Sequence, residues 1–149
     1  MEDFREIIKY AIDREKEAQV FYRAVAAKIS QGIIRDTFLE LAEEEKQHEI
    51  VLCRILEQKE PALQFSPTAD YGLTETITPP ILSETMTLAD VFAIAMHNEK
   101  MAMEMYRKLA ADSTSPKVRQ IFGELATMEQ AHKLKMEQFY TDVAYGESW

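Results

Sequence analysis

Apolar residues return every three or four positions along four long stretches of the chain, a spacing that predicts four amphipathic helices. The first runs from about Asp3 to Ser30, with Phe4, Ile8, Ala11, Ala18, Tyr22, Val25 and Ile29 on one side. The second, from about Ile33 to Gln58, has Ile34, Phe38, Leu41, Leu52 and Ile55 as its stripe. Thr87 introduces the third, about Leu88 to Asp112, as an N-cap with Asp90 three residues on. The fourth, about Pro116 to Val143, has Ser115 as N-cap and Pro116 at its first helical position. The breaks "SQG" and "DSTSP" are short, so each pair of helices reads as an antiparallel hairpin.

Between the hairpins lies "PALQFSPTADYGLTETITPPILSETM", whose Pro61, Pro67, Pro79 and Pro80 forbid continuous helix. A helix of about 26 residues is roughly 39 Å long, and a connection of this length can travel that height. The two central helices would then run parallel, in up–down–down–up order. A loose linker or a lid is the alternative, although Phe65, Tyr71, Ile77 and Ile81 suggest that the segment packs. The expected organisation of residues 1–149 is therefore a single all-α four-helix bundle. Its first hairpin spans about 3–58, its crossover about 59–86 and its second hairpin about 87–143.

The two hairpins repeat each other without a gap at an offset of 84 residues. "AIDREKEAQVFYRAVAAK" lies over "AMHNEKMAMEMYRKLAAD", pairing Glu15 with Glu99 and Tyr22 with Tyr106. "RDTFLELAEEEKQH" lies over "RQIFGELATMEQAH", pairing Glu45 with Glu129 and His48 with His132. An ungapped match that keeps Glu, Tyr, Glu and His in phase marks an internal duplication.

Those paired residues sit on the apolar stripes. The series Phe38, Leu41, Glu45, His48, Leu52, Ile55 steps by three and four, as does Phe122, Leu125, Glu129, His132, Met136, Phe139. Glu15 and Glu99 occupy the same kind of position on the first and third helices. From Glu15 to the turn is about 16 residues, or roughly 24 Å, and from the turn to Glu45 is about 14, or roughly 21 Å. The two carboxylates therefore meet at nearly one height, and Glu99 meets Glu129 likewise. Unpaired carboxylates in a dry core would cost several kcal/mol each or stay protonated. Two divalent ions cancel the charge of four carboxylates. One Glu from each of two helices, with Glu-x-x-His from each of the other two, is the ligand pattern of di-iron and di-manganese carboxylate bundles. Oxygen and imidazole donors suit two iron ions, with manganese or zinc possible. The expected metal ligands are Glu15, Glu45, His48, Glu99, Glu129 and His132.

Other residues read less sharply. Tyr22 and Tyr106, two turns past Glu15 and Glu99, either hydrogen-bond a ligand carboxylate, serve radical or proton chemistry as catalytic residues, or are satisfied core tyrosines. Met96, Met101, Met103 and Met105 fill gaps, or else line a pocket or a dimer face. His97 faces away from Glu99, Cys53 reads as a small apolar filler, and Glu43 and Glu44 read as a solvated face. Recurrence of Lys16 as Lys100 and of Arg35 as Arg119 has no firm physical account.

Composition narrows the partners. Only four Gly and five Pro in 149 residues favour helix over sheet. A net charge of −9 disfavours nucleic acid and anionic membrane. The lone Cys53, the absence of a secretory signal and the absence of a bilayer-spanning stretch fit the cytoplasm.

The motifs "EKEAQVFY", "EEEKQH", "EKMAMEMY" and "MEQAH", in that order around a long central connection, resemble the ferritin-like superfamily and, within it, the rubrerythrin family. The resemblance covers nearly the whole chain and implies a four-helix bundle with the six ligands above. It also implies non-haem di-iron reduction of hydrogen peroxide, or of O2, with electrons from rubredoxin. The sequence contains no rubredoxin-type four-cysteine segment, so an external electron donor such as rubredoxin is expected. Ala102 stands three residues after Glu99, where rubrerythrins carry an additional glutamate, which leaves a symmetric set of four Glu and two His. A homodimer is expected. The rival readings are a ferroxidase that handles iron and a metal-free or zinc-filled helical module that binds a partner.

Overall fold

The computed structural model describes residues 4–29, 32–58, 71 and 82–145. The predicted stripes fold as four helices: α1 (Phe4–Lys28), α2 (Ile33–Glu57), α3 (Leu88–Asp112) and α4 (Pro116–Tyr145). The start of α3 is fixed by a reciprocal cap. The Asp90 N–H donates to Thr87 Oγ1 at 3.1 Å, and the Thr87 N–H donates to Asp90 Oδ2 at 3.0 Å. Helix α4 opens at Pro116, and the Ser115 carbonyl accepts from the Arg119 N–H at 2.9 Å. Gly32, just before α2, has φ +109° and ψ 180°, a conformation that residues with a Cβ avoid.

The buried stripes form two apolar layers. One gathers Phe4, Ile8 and Ala11 from α1, Leu52 and Ile55 from α2, Tyr106 and Leu109 from α3, and Val118 and Phe122 from α4. The other gathers Tyr22 and Val25, Phe38 and Leu41, Leu88 and Phe92, and Met136 from the same helices in order. Each layer thus joins the beginnings of two helices to the ends of the other two. Helices α1 and α4 run one way, and α2 and α3 run the other. The result is an all-α bundle of two antiparallel hairpins joined by a crossover that returns the chain from the end of α2 to the start of α3. Burying one such Leu, Ile or Phe side chain contributes about 1.5–3 kcal/mol. Aromatic pairs repeat with the duplication: Tyr22 lies 5.6 Å from Phe38 and Tyr106 6.5 Å from Phe122, centroid to centroid.

Of the crossover, Tyr71 is buried and its hydroxyl donates to Asp112 Oδ2 at 2.7 Å, so this part packs. Phe65, Ile77 and Ile81 lie outside the described residues. Cys53 is half-buried against the first layer. No helix among the described residues is long and apolar enough to cross a membrane.

Candidate metal centre

Between the two apolar layers the bundle is polar. Glu15, Glu45, His48, Glu99, Glu129 and His132 are all buried there, none more than 6 % exposed. They form two overlapping groups. Glu15, Glu45, His48 and Glu129 each bring one donor atom to within 4.8 Å of the others, and so do Glu45, Glu99, Glu129 and His132. Glu45 and Glu129 belong to both groups, whereas Glu15 with His48 and Glu99 with His132 each belong to one. His48 Nδ1 lies 2.7 Å from Glu129 Oε1, 3.5 Å from Glu45 Oε1 and 3.7 Å from Glu15 Oε2. His132 Nδ1 lies 3.2 Å from Glu45 Oε1 and 3.4 Å from Glu99 Oε2. The imidazoles lie nearly parallel, their ring centroids 6.1 Å apart.

Whether these residues suit metal ions is tested by their unmet hydrogen-bonding capacity. Among the described residues, the buried side-chain atoms without a hydrogen-bond partner are Arg14 Nε and eight atoms of these six residues. The eight include Glu15 Oε2, Glu99 Oε2, both oxygens of Glu129 and Nδ1 of both histidines. So many unsatisfied donor atoms gathered in one dry core are costly, and bound cations would complete them. The donor set, oxygen-rich with one imidazole per group, is that of a di-iron-type site.

The electrostatics of the protein side alone agree. Burial, reinforced by neighbouring carboxylates, pushes Glu45 and Glu129 well above the carboxylate range. Burial alone would raise Glu99 too, but the close approach of Glu129 and His132, the imidazolium charge and the Tyr22 hydroxyl hold it below its ordinary value. Burial would lower His132, yet the close carboxylates of Glu45 and Glu99 push it up to about 11. Without cations, the cluster retains protons to limit its own charge.

Both tyrosines reach across the duplication. The Tyr22 hydroxyl donates to Glu99 Oε1, and the Tyr106 hydroxyl donates to Glu15 Oε1. Each half therefore orients a carboxylate of the other, leaving Oε2 of that carboxylate facing its group. Burial and the adjacent carboxylates raise both phenols above their usual range, so they remain donors.

Two contacts lie outside what the repeat indicates. Glu44, read from sequence as part of a solvated face, keeps 47 % of its side chain exposed but places Oε2 2.5 Å from His132 Nε2. The repeat gave no signal for this, because the residue equivalent to Glu44 is Met128. Among the described residues His48 Nε2 accordingly has no hydrogen-bond partner. Gln19, one turn past Glu15, is buried and donates from Nε2 to Glu49 Oε1 at 2.7 Å. Its polarity on an apolar stripe was the signal available, and the repeat has Met103 there. A carboxylate on the far nitrogen of a ligating histidine fixes its ring orientation and tautomer. Glu44→Ala is expected to weaken metal binding at the His132 group by about 10-fold or more while changing the His48 group less than about twofold. A two-site Co(II) titration followed by its visible absorption measures both.

A chamber of about 460 Å³ between α1 and α3 reaches Glu15, Glu45, Glu99 and Glu129. Met101, Met105 and His97 line it, outside the two groups, whereas Met103 is buried in the helix packing.

Solved proteins share this fold. A solved hypothetical protein from Pyrococcus furiosus matches with a TM-score of 0.76 at 26 % identity, covering 93 % of this chain and 88 % of that one. A protein from Thermotoga maritima, described as a candidate ferritin-like diiron-carboxylate protein, has the same fold with a TM-score of 0.76 at 22 % identity. That match covers 95 % of this chain and 96 % of that one. No curated protein matches the chain. The family model for rubrerythrin matches residues 6–140, nearly the full length and including all six clustered side chains, and the chain belongs to the rubrerythrin family.

Proposed function

We propose that the chain is a non-haem di-iron oxidoreductase that reduces a peroxide, or O2, with electrons from an external donor such as rubredoxin. One observation supports this above the rest: two groups of buried donors share Glu45 and Glu129 and leave their inward atoms without partners. In this reading Glu15 and His48 would hold one ion, Glu99 and His132 would hold the other, and Glu45 and Glu129, members of both groups, would serve both. Bound ferrous iron supplies the two electrons and the Lewis acidity that cleavage of an O–O bond requires.

The protein's own contribution is positional and electrostatic. The phenols of Tyr22 and Tyr106 hold the outer oxygens of Glu99 and Glu15, so the inner oxygens keep their aim through a change of metal charge. Glu45 and Glu129 are anchored within the bundle, with Phe38 and Leu41 before Glu45 and Leu125 before Glu129 on the same helix faces. The apolar layers on either side limit water entry along the bundle axis. The chamber between α1 and α3 is the approach for the oxidant.

Anaerobic Fe(II) titration tests the reading. Two irons bind per chain, and oxidation develops the near-ultraviolet band of a paired ferric centre. In stopped flow, peroxide oxidises the reduced protein at least about tenfold faster than O2 at equal concentration, a gap of ~1.4 kcal/mol in barrier. Faster reaction with O2 than with peroxide would make ferroxidase action the better description, and failure to bind iron would end both.

A further inference from the structure

The chamber is larger than a small peroxide needs. Its floor is the four clustered glutamates, and its walls include Tyr10, Ala18, Tyr71, Met101, Ala102 and Met105. Ala18 and Ala102 are partners in the duplication, each three residues past a floor glutamate and therefore about one turn further along its helix. Two methyl groups line the space where longer side chains would fill it. The Tyr71 ring is held in the wall by its hydroxyl on Asp112.

Hydrogen peroxide has two heavy atoms, and a water molecule's share of liquid is roughly 30 Å³. Most of the 460 Å³ would then be unused by it. The apolar part of the wall gives it few hydrogen bonds, the polar part being Arg14, Glu17, His97, Asn98, Glu104 and Lys108. Chambers of roughly 300–1,000 Å³ with such walls are the size and character that bind organic molecules. The other lining groups do not favour an ion: Arg14 and Lys108 are balanced in number by Glu17 and Glu104, and Arg14 is tied to Glu17 at 2.5 Å.

We propose that the chamber receives the hydrocarbon group of an organic hydroperoxide, with its –OOH end directed at the glutamate floor. This rests on the peroxide-reducing function proposed above and names its substrate class. The balanced step is ROOH + 2 e⁻ + 2 H⁺ → ROH + H2O. The O–O bond breaks, both oxygens are reduced, and each takes one proton. The two electrons come from the reduced metal pair and are replaced by the external donor. The alcohol leaves by the chamber through which the hydroperoxide entered.

The test uses the full chain with cumene hydroperoxide, hydrogen peroxide and 2-phenyl-2-propanol, the alcohol that cumene hydroperoxide yields. With Zn(II) loaded, so that no redox occurs, ligand-observed NMR shows saturable binding of the alcohol, and Ala102→Leu abolishes it. With iron loaded and reduced, Ala102→Leu lowers the ratio of the cumene hydroperoxide to the hydrogen peroxide rate constant by about tenfold or more. Ala18→Leu, on the facing helix, does the same and serves if the first variant misfolds. A smaller fall in that ratio in folded variants, or no binding of the alcohol to the unsubstituted chain, overturns the proposal. If neither peroxide outpaces O2, the hydroperoxide chemistry falls together with the peroxide-reducing part of the proposed function. Rapid reaction with hydrogen peroxide but no alcohol binding is instead a failure of the chamber assignment alone.

Discussion

Replacing Glu129 with alanine is expected to abolish binding of both metal ions, whereas replacing Glu15 with alanine is expected to abolish binding of one. The difference follows from group membership: Glu129 supplies donor atoms to both groups and Glu15 to only one. Deleting a shared ligand leaves each ion a carboxylate short and the pair unbalanced in charge. The expected loss in affinity is at least about 100-fold at both positions for Glu129→Ala, the upper end of what even an outer-shell contact is worth. Glu15→Ala keeps the group of Glu45, Glu99, Glu129 and His132 intact. Metal analysis after equilibrium dialysis should therefore read near zero, one and two ions per chain for Glu129→Ala, Glu15→Ala and the unsubstituted protein. The metal-free Glu129→Ala chain should still fold, because it has lost a buried carboxyl that no hydrogen bond satisfied. Equal stoichiometry in the two variants would refute shared coordination.

Removing metal should also invert the pH dependence of stability. In the metal-free protein Glu45 and Glu129 lie well above their ordinary value of 4.5, and His132 is raised from 6.5 to about 11. A group whose pKa is higher when folded holds its proton more tightly in the native state. Its stabilising contribution is complete below the unfolded value and disappears as pH climbs through the folded one. For the two glutamates the decline starts above 4.5, and for His132 it extends from 6.5 to about 11. Glu99 is shifted the other way, so its contribution is lost only in acid, below 4.5. From pH 6 to 8 the metal-free chain consequently becomes less stable. One excess native proton is worth ~1.4 kcal/mol per pH unit, which for a chain of this size lowers Tm by roughly 6–10 °C over that interval. The loaded protein should move oppositely, because protons compete with metal for the same donors. Calorimetric melts with chelator and with Mn(II), at both pH values, check the sign; a flat metal-free profile would mean that these carboxyls are solvated.

Much of this architecture was legible in the order of residues. Four stripes at helical spacing, the Thr87 and Ser115 starts and the two short breaks marked the hairpins, since each depends on contacts within a few residues. The long central segment allowed either a crossover or a loose linker. The layers that join Phe4 to Leu109 and Tyr22 to Leu88 decide for the crossover. The duplication did for the six polar side chains what no single motif could: it placed them at one height on inward faces, where the structure brings them together.

Glu44 shows the limit. Its contact with His132 spans 88 positions, and its counterpart Met128 gives the repeat nothing to match. Tyr22 and Tyr106 left three roles open because periodicity fixes a side chain's face but not its partner on another helix. Thus the sequence alone determined the helices, their pairing into two equivalent halves and which acids face inward, all consequences of 3.6-residue geometry and hairpin length. Tertiary structure alone decided that Glu45 and Glu129 are shared, that each tyrosine serves the opposite half, that Glu44 breaks the symmetry and that α1 and α3 flank a chamber. Those features depend on how helices rotate and settle against one another, which is set by packing across the bundle and leaves no local trace in the chain.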